Sequence, residues 1–171
     1  DGSELFGMIV DVSGKGMGAA LLTASLEALA ASPVQNGMAP GEIAPLVSNL
    51  LYKRTPLAKY ATAMLVSVDV AGDVTGRLGF TNAGHNPALL VRADGSVERL
   101  GATGPPIGLL ADARFTQQSA DAWAKQFIAQ RTAPLEALAE GLDQELERFV
   151  RGVPYADDRT LVLLRREGSP A

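Results

Sequence analysis

The chain has 171 residues, 47% hydrophobic and 20% charged, with a formal net charge of -4 and a sequence pI near 5.0. That composition is globular, long enough to bury roughly two-thirds of the unfolded surface around one core, and it excludes collagen-like, coiled-coil and low-complexity chains. With no cysteine and one histidine, disulfides, thiolate nucleophiles and Cys-ligated zinc are out, and carboxylates must carry any chemistry.

Asp1-Gly2 is a turn dipeptide and Leu5 to Val10 a short apolar run, so the opening reads as a strand leaving a hairpin and ending at Asp11. The start Asp1-Gly2-Ser3-Glu4 has neither Met nor a basic leader, and the expectation is a domain, spanning 1–171, from a longer protein. Val12 to Gly18 is a glycine-rich bend. It leads into Ala19 to Ala31, rich in the strongest helix formers, with Ser32-Pro33 and Asn36-Gly37 expected to break the helix. Its apolar stretch, Gly16 to Leu26, stops at Glu27, short of the ~18 residues that a membrane helix needs. Pro40 and Glu42 open a second helix reaching Leu51, since Pro at the first turn loses no needed N–H and Glu meets the helix dipole.

From Ala61 the period changes to that of strands. Ala61 to Val70, Gly76 to Ala83, Ala88 to Arg92 and, after the turn Asp94-Gly95, Val97 to Leu100 predict a meander of four strands. Arg114 to Ser119 suggests one more. Helical signal returns over 121–130 and from Pro134 to Phe149, where Leu135, Leu138, Leu142 and Leu146 line one face, and Thr160 to Leu164 closes the chain as a strand. Helices segregated from hairpin strands predict an α+β domain in which helices cover an antiparallel sheet.

Two constellations bear on chemistry. Gly14-x-Gly16-x-x-Ala19 between strand and helix fits a dinucleotide fingerprint by spacing, but no second strand with an acidic end follows about 20 residues on. A Walker A loop also fails, because Lys15 is followed by Gly16 and not by Ser or Thr. The other constellation is Asp11 at a strand end and Asp157-Asp158 before a strand. Each alone reads as a turn or cap residue; on neighbouring strands, carboxylates about 4 Å apart would repel by about 4 kcal/mol at an effective dielectric of about 20, calling for a proton or a cation. Oxygen ligands would select Mg or Mn.

Four segments then carry a resemblance: Asp11-Val12-Ser13-Gly14-Lys15-Gly16 running into Ala19-Ala20-Leu21-Leu22, Asn82-Ala83-Gly84-His85-Asn86-Pro87, Pro105-Pro106-Ile107-Gly108-Leu109, and Asp157-Asp158-Arg159-Thr160-Leu161. In order and spacing they resemble the bacterial stage II sporulation protein E type of PPM (protein phosphatase 2C-like) serine phosphatases. The resemblance implies a sandwich of two antiparallel sheets flanked by helices, with two Mn or Mg ions at one end. Asp11 would bridge both metals, the Val12 main-chain carbonyl would bind one and Asp157 the other, with Asp158 supporting; Asp11 and Asp157 are thus the expected catalytic residues. The implied activity is hydrolysis of phosphoserine or phosphothreonine by a metal-activated water, on a phosphorylated regulatory protein of the anti-sigma-factor-antagonist type.

Two family elements are absent: a Gly-Gly-Asp-type strand before Leu5, and a strand ending in Thr-Asp-Gly near Ala120-Asp121. Two readings follow. In one, a complete domain is a phosphatase; in the other, a degenerate relative is a non-catalytic protein-binding module. Dispersed Lys and Arg leave no nucleic-acid footprint, no membrane contact by this domain is expected, homodimerisation stays open, and the expected location is the cytoplasm. His85 reads as a turn residue bonding backbone before it reads as a general acid. Lys53, Arg54 and Lys59 could meet a phosphate or an acidic partner, although scattered surface charge is the ordinary reading.

Overall fold

The structure, a computed structural model, describes residues 4–55, 59–69, 77–91 and 97–121, with Glu140 and Gln144, both helical. The chain forms two compact units, Asp1–Phe127 and Ile128–Ala171. Elements with defined bounds all belong to the first: β1 (Glu4–Val12), α1 (Met17–Gln35), α2 (Pro40–Arg54), β2 (Ala61–Asp69), β3 (Arg77–Ala83), β4 (Ala88–Val91), β5 (Val97–Leu100) and β6 (Gln118–Asp121). The helices expected over 121–130 and 134–149, and the strand expected over 160–164, lie outside the described residues apart from Asp121, Glu140 and Gln144.

Helix ends follow local chemistry, with one departure. Pro33 does not break α1, which runs two residues beyond it with Pro33 buried. The stop comes at Asn36-Gly37: Gly37 takes a left-handed φ of 69°, its N–H donates to the Val34 carbonyl, and the Met38 N–H reaches back to Pro33 at 3.0 Å. At the start of α2 the Glu42 carboxylate accepts the Ala39 N–H at 2.9 Å, half of a capping box, and Pro40 occupies the first turn. The last turn carries Lys53 and Arg54, where cations meet the negative end of the dipole.

At its full length α1 is long and apolar enough to cross a membrane by length and composition, contrary to the sequence expectation. In this fold it is a core helix on one side: Leu22, Leu26, Ala30 and Pro33 form a buried stripe, while Met17 and Leu21 are 80% and 63% exposed.

Four strands pair antiparallel in the order β1-β2-β3-β6, and β4 with β5 forms a separate two-stranded sheet. The expected single meander is therefore corrected. After β3 the chain turns out of the sheet at Gly84, whose φ is 67°, and the edge of β3 that β4 would have taken is filled by β6, Arg77 facing Asp121 and Phe80 facing Gln118. Asp121, expected to open a helix, closes that strand. Unpaired backbone groups at a strand edge are a liability; β6 pairs those of β3 and leaves a short four-residue strand at the edge.

Because side chains alternate across a strand, the sheet has two apolar faces. Phe6, Met8, Val10 and Val12 of β1 and Ala61, Ala63 and Leu65 of β2 pack with Leu22, Leu26, Ile43, Val47 and Leu51 of the helices. Met64, Val68, Leu78 and Phe80 on the other face pack with Leu100, Ala88 and Leu90 of the two-stranded sheet. Helices, large sheet and small sheet are thus successive layers of an α+β sandwich. Full burial of side chains such as Ile43, Leu65 and Phe80 contributes about 1.5–3 kcal/mol each.

Candidate active site

The C-terminal end of β1 is the starting point. Val12 packs into the helix-side core, so alternation sets Asp11 on the opposite face, the one toward the small sheet, in register with Thr62. The Asp11 carboxylate is exposed to solvent. Ser13 donates its N–H to the Tyr60 carbonyl at 2.8 Å, and the Tyr60 N–H returns to Ser13 Oγ at 3.0 Å. That fixes the hydrogen-bonding phase of the ladder: the preceding pair, Val12 with Ala61, is a non-bonded one, and both Ala61 backbone groups turn the other way, to Ile107 at 3.0 and 2.7 Å. The Val12 carbonyl is therefore directed away from β2. Gly14 and Gly16 then bend the chain into α1 with φ of 93° and 77°, a conformation that side chains with a Cβ resist.

The start of β2 gathers the other motifs. Ala61 bridges to Ile107, Ala63 to Gly84, and Ala83 to Gly104, so the segments around Gly84 and Pro106 meet at the strand that flanks Asp11. Contact is close: a Cβ on Gly84 would lie 2.8 Å from Pro106 ring atoms, and one on Gly108 would lie 2.7 Å from Leu51. Ser48, fully buried on α2, accepts the Gly108 N–H at 3.0 Å.

Asn82 is the hub of this corner. Fully buried, it accepts the His85 N–H on Oδ1 at 2.8 Å and donates from Nδ2 to the Leu100 carbonyl at 3.2 Å. Its backbone N–H goes to Thr103 Oγ1 at 3.0 Å, and its carbonyl accepts Thr103 N–H at 2.8 Å. Among the described residues the His85 imidazole bonds a side chain and not the backbone: Nδ1 lies 2.8 Å from Thr62 Oγ1. Thr62 is the cross-strand partner of Asp11, so His85 is held one residue removed from that carboxylate.

Of the residues singled out from sequence, Asp11 and Val12 stand side by side at the strand end, whereas Asp157 and Asp158 lie outside the described residues. Among the described residues no three His, Asp or Glu side chains converge. Lys53 and Arg54 are exposed, and Lys59 is half-buried. Thr62, Thr103 and the role of Asn82 escaped the sequence reading, since a Thr in a strand ordinarily signals β-propensity; the cue for Asn82 was a polar residue ending an apolar run before Gly84-His85-Asn86-Pro87.

Comparison with known proteins bears on the family and the fold. A family model described as Stage II sporulation protein E (SpoIIE) matches residues 1–129. The phosphoserine phosphatase RsbP of Bacillus subtilis is 34% identical over 116 residues, covering 66% of this chain and 28% of that protein. Among solved structures, RsbX in complex with magnesium superposes with a TM-score of 0.65 at 12% identity, covering 84% of this chain and 75% of that one. The PP2C phosphatase domain of SpoIIE from Bacillus subtilis, with a fragment of its regulatory domain, gives 0.60 at 19% identity, covering 90% and 45%. At those identities the two structures bear on the fold alone. The chain thus spans little more than a quarter of the length of the curated relative RsbP.

Proposed function

Because the chain belongs to the SpoIIE-type PPM family of phosphatase domains, we propose that it is a metal-dependent phosphoprotein phosphatase that hydrolyses phosphoserine on a regulatory protein. The observation that carries this reading is the pairing of an exposed Asp11 carboxylate with an outward-directed Val12 carbonyl at one strand end, in the segment Asp11 to Gly16 that resembles the family's metal motif. Both are hard oxygen donors, so the described residues fit Mg or Mn in their chemistry. RsbX, which shares this fold, was solved with magnesium.

Asp11 and the Val12 carbonyl would hold the metal, and Asp157 is assigned as a second carboxylate ligand by the family resemblance. Two bound ions would lower the pKa of a coordinated water and neutralise charge on the phosphoryl oxygens. The chain's own contribution is positioning. The Ser13–Tyr60 bonds fix where β1 ends, and the Asn82 hub fixes the turn that brings His85 to Thr62. The net reaction adds water across the phosphorus–serine oxygen bond, restoring the serine hydroxyl on the regulatory protein and releasing inorganic phosphate. By the family resemblance we assign the substrate to the anti-sigma-factor-antagonist type, with the cytoplasm as location and residues 1–171 as one functional domain; the name of the relative RsbP, a phosphoserine phosphatase, supports phosphoserine as the group attacked.

Phosphate release from a phosphoserine protein tests the reading. It is expected with Mn or Mg, absent with chelator, and lowered at least 100-fold by Asp11→Asn with folding unchanged, because Asp11 is exposed. A folded chain that binds a regulatory protein yet releases no phosphate with either metal would establish the non-catalytic module instead.

A further inference from the structure

The bend after Asp11 has a cation lodged against it. A methyl group built on Gly14 would come within 2.9 Å of Lys59 Nζ, so the ammonium occupies the space where any side chain at position 14 would start. The segment bearing Lys59 is tied to the same bend by the two Ser13–Tyr60 bonds, at 2.8 and 3.0 Å. Three peptide links separate Asp11 from Gly14, a span of at most about 11 Å between Cα atoms. Lys59 therefore stands beside the residues expected to hold metal, two residues before β2 in a segment tied to them through Tyr60.

Its neighbours in sequence do not share this setting. Lys53 and Arg54 are exposed in the last turn of α2, where the helix dipole explains them. Lys59 is half-buried, and among the described residues no carboxylate pairs with it. The first turn of α1, which follows the bend, carries no acidic residue either. An ammonium held this way has its charge available to an anion, and Lys serves phosphate as a compact point charge.

We propose that Lys59 is a binding contact for the phosphoryl group of the substrate, an assignment that rests on the phosphatase reading for its biological meaning but not for its test. Gly14 is required for its positive φ, and a Cβ there would push the flexible end of Lys59 aside.

The probe is inorganic phosphate, titrated calorimetrically into the full chain with Mg present. Wild type is expected to bind it, Lys59→Met to bind it about 10- to 100-fold more weakly, as for loss of one hydrogen bond to a charged group, and Lys59→Arg to stay within about threefold, since the charge is kept. Lys53→Met is expected to match wild type. A second neutral variant, Lys59→Gln, and circular dichroism of each protein separate lost binding from lost folding. The assignment is overturned if folded Lys59→Met binds phosphate as wild type does, if wild type binds none, or if Lys53→Met loses as much. Turnover of a phosphoserine peptide is read in parallel. Lys59-dependent phosphate binding without turnover would sink the phosphatase reading and leave this contact standing; turnover and phosphate binding both unchanged in Lys59→Met would sink the contact alone.

Discussion

Replacing Asn82 with alanine removes the hub that ties β3, the His85 turn and the end of β5 together. The side chain is fully buried, accepts the His85 N–H at 2.8 Å and donates to the Leu100 carbonyl at 3.2 Å. Leu100 is itself 4% exposed, so its carbonyl is left one partner short where water enters poorly, at about 1–3 kcal/mol. His85 is half-buried and its N–H can find water, so that bond is worth the ordinary net of about 1 kcal/mol. The expected loss is about 3 kcal/mol, a large share of the ~5–15 kcal/mol that stabilises a domain. With a urea slope of about 2 kcal/mol/M, the unfolding midpoint followed by circular dichroism falls by about 1.5 M. Asn82→Asp sharpens the test, because it keeps the acceptor for His85 and turns a carboxylate oxygen on the Leu100 carbonyl. Burial and that repulsion raise its folded-state pKa above the unfolded value of about 3.9. The folded state then holds the proton more tightly, so this variant is least destabilised below pH ~4 and loses stability as pH rises toward the folded pKa. An Asn82→Ala loss under about 0.5 kcal/mol, the range of ordinary surface changes, would refute the hub argument, as would an Asn82→Asp stability curve parallel to wild type across that pH range.

Three further substitutions probe the same corner. Gly84→Ala puts a Cβ 2.8 Å from the Pro106 ring at a φ of 67°, and combined backbone strain and overlap are expected to cost about 2–4 kcal/mol; Gly101→Ala, with no atom within 4 Å, should melt within a degree or two of wild type, and equal melting of the two variants would contradict the packing. Thr81 is fully buried and its hydroxyl finds no hydrogen-bond partner among the described residues, so Thr81→Val should leave stability unchanged or raise it by about 1 kcal/mol, and a drop of that size in urea unfolding would reveal a partner for the hydroxyl.

Much of the candidate site was legible because its signals are local. A strand ending at Asp11-Val12, followed by glycines at 14 and 16 and an Ala-Leu run, describes a strand, a bend needing positive φ and a helix, each decided within a few residues. Pro40 with Glu42 marked the start of α2 for the same reason. The order of the four motif segments carried the family, since each is a short stretch of backbone-shaping residues.

What the sequence by itself determined, then, is the kind and order of the elements from β1 to β5 and the presence of oxygen donors at the end of β1, because propensity, capping and glycine conformation act over one turn or one strand. Only the tertiary structure decided the partners. It paired β3 with β6 across the hairpin of the small sheet. It carried α1 past Pro33, whose missing N–H is outweighed by the buried stripe it extends. It aimed the His85 imidazole at Thr62, and it set Lys59 apart from Lys53 and Arg54 by lodging it against Gly14. Those outcomes depend on which surfaces meet after the chain has folded back over tens of residues, and burial and long-range hydrogen bonding choose among pairings that a local window leaves equal.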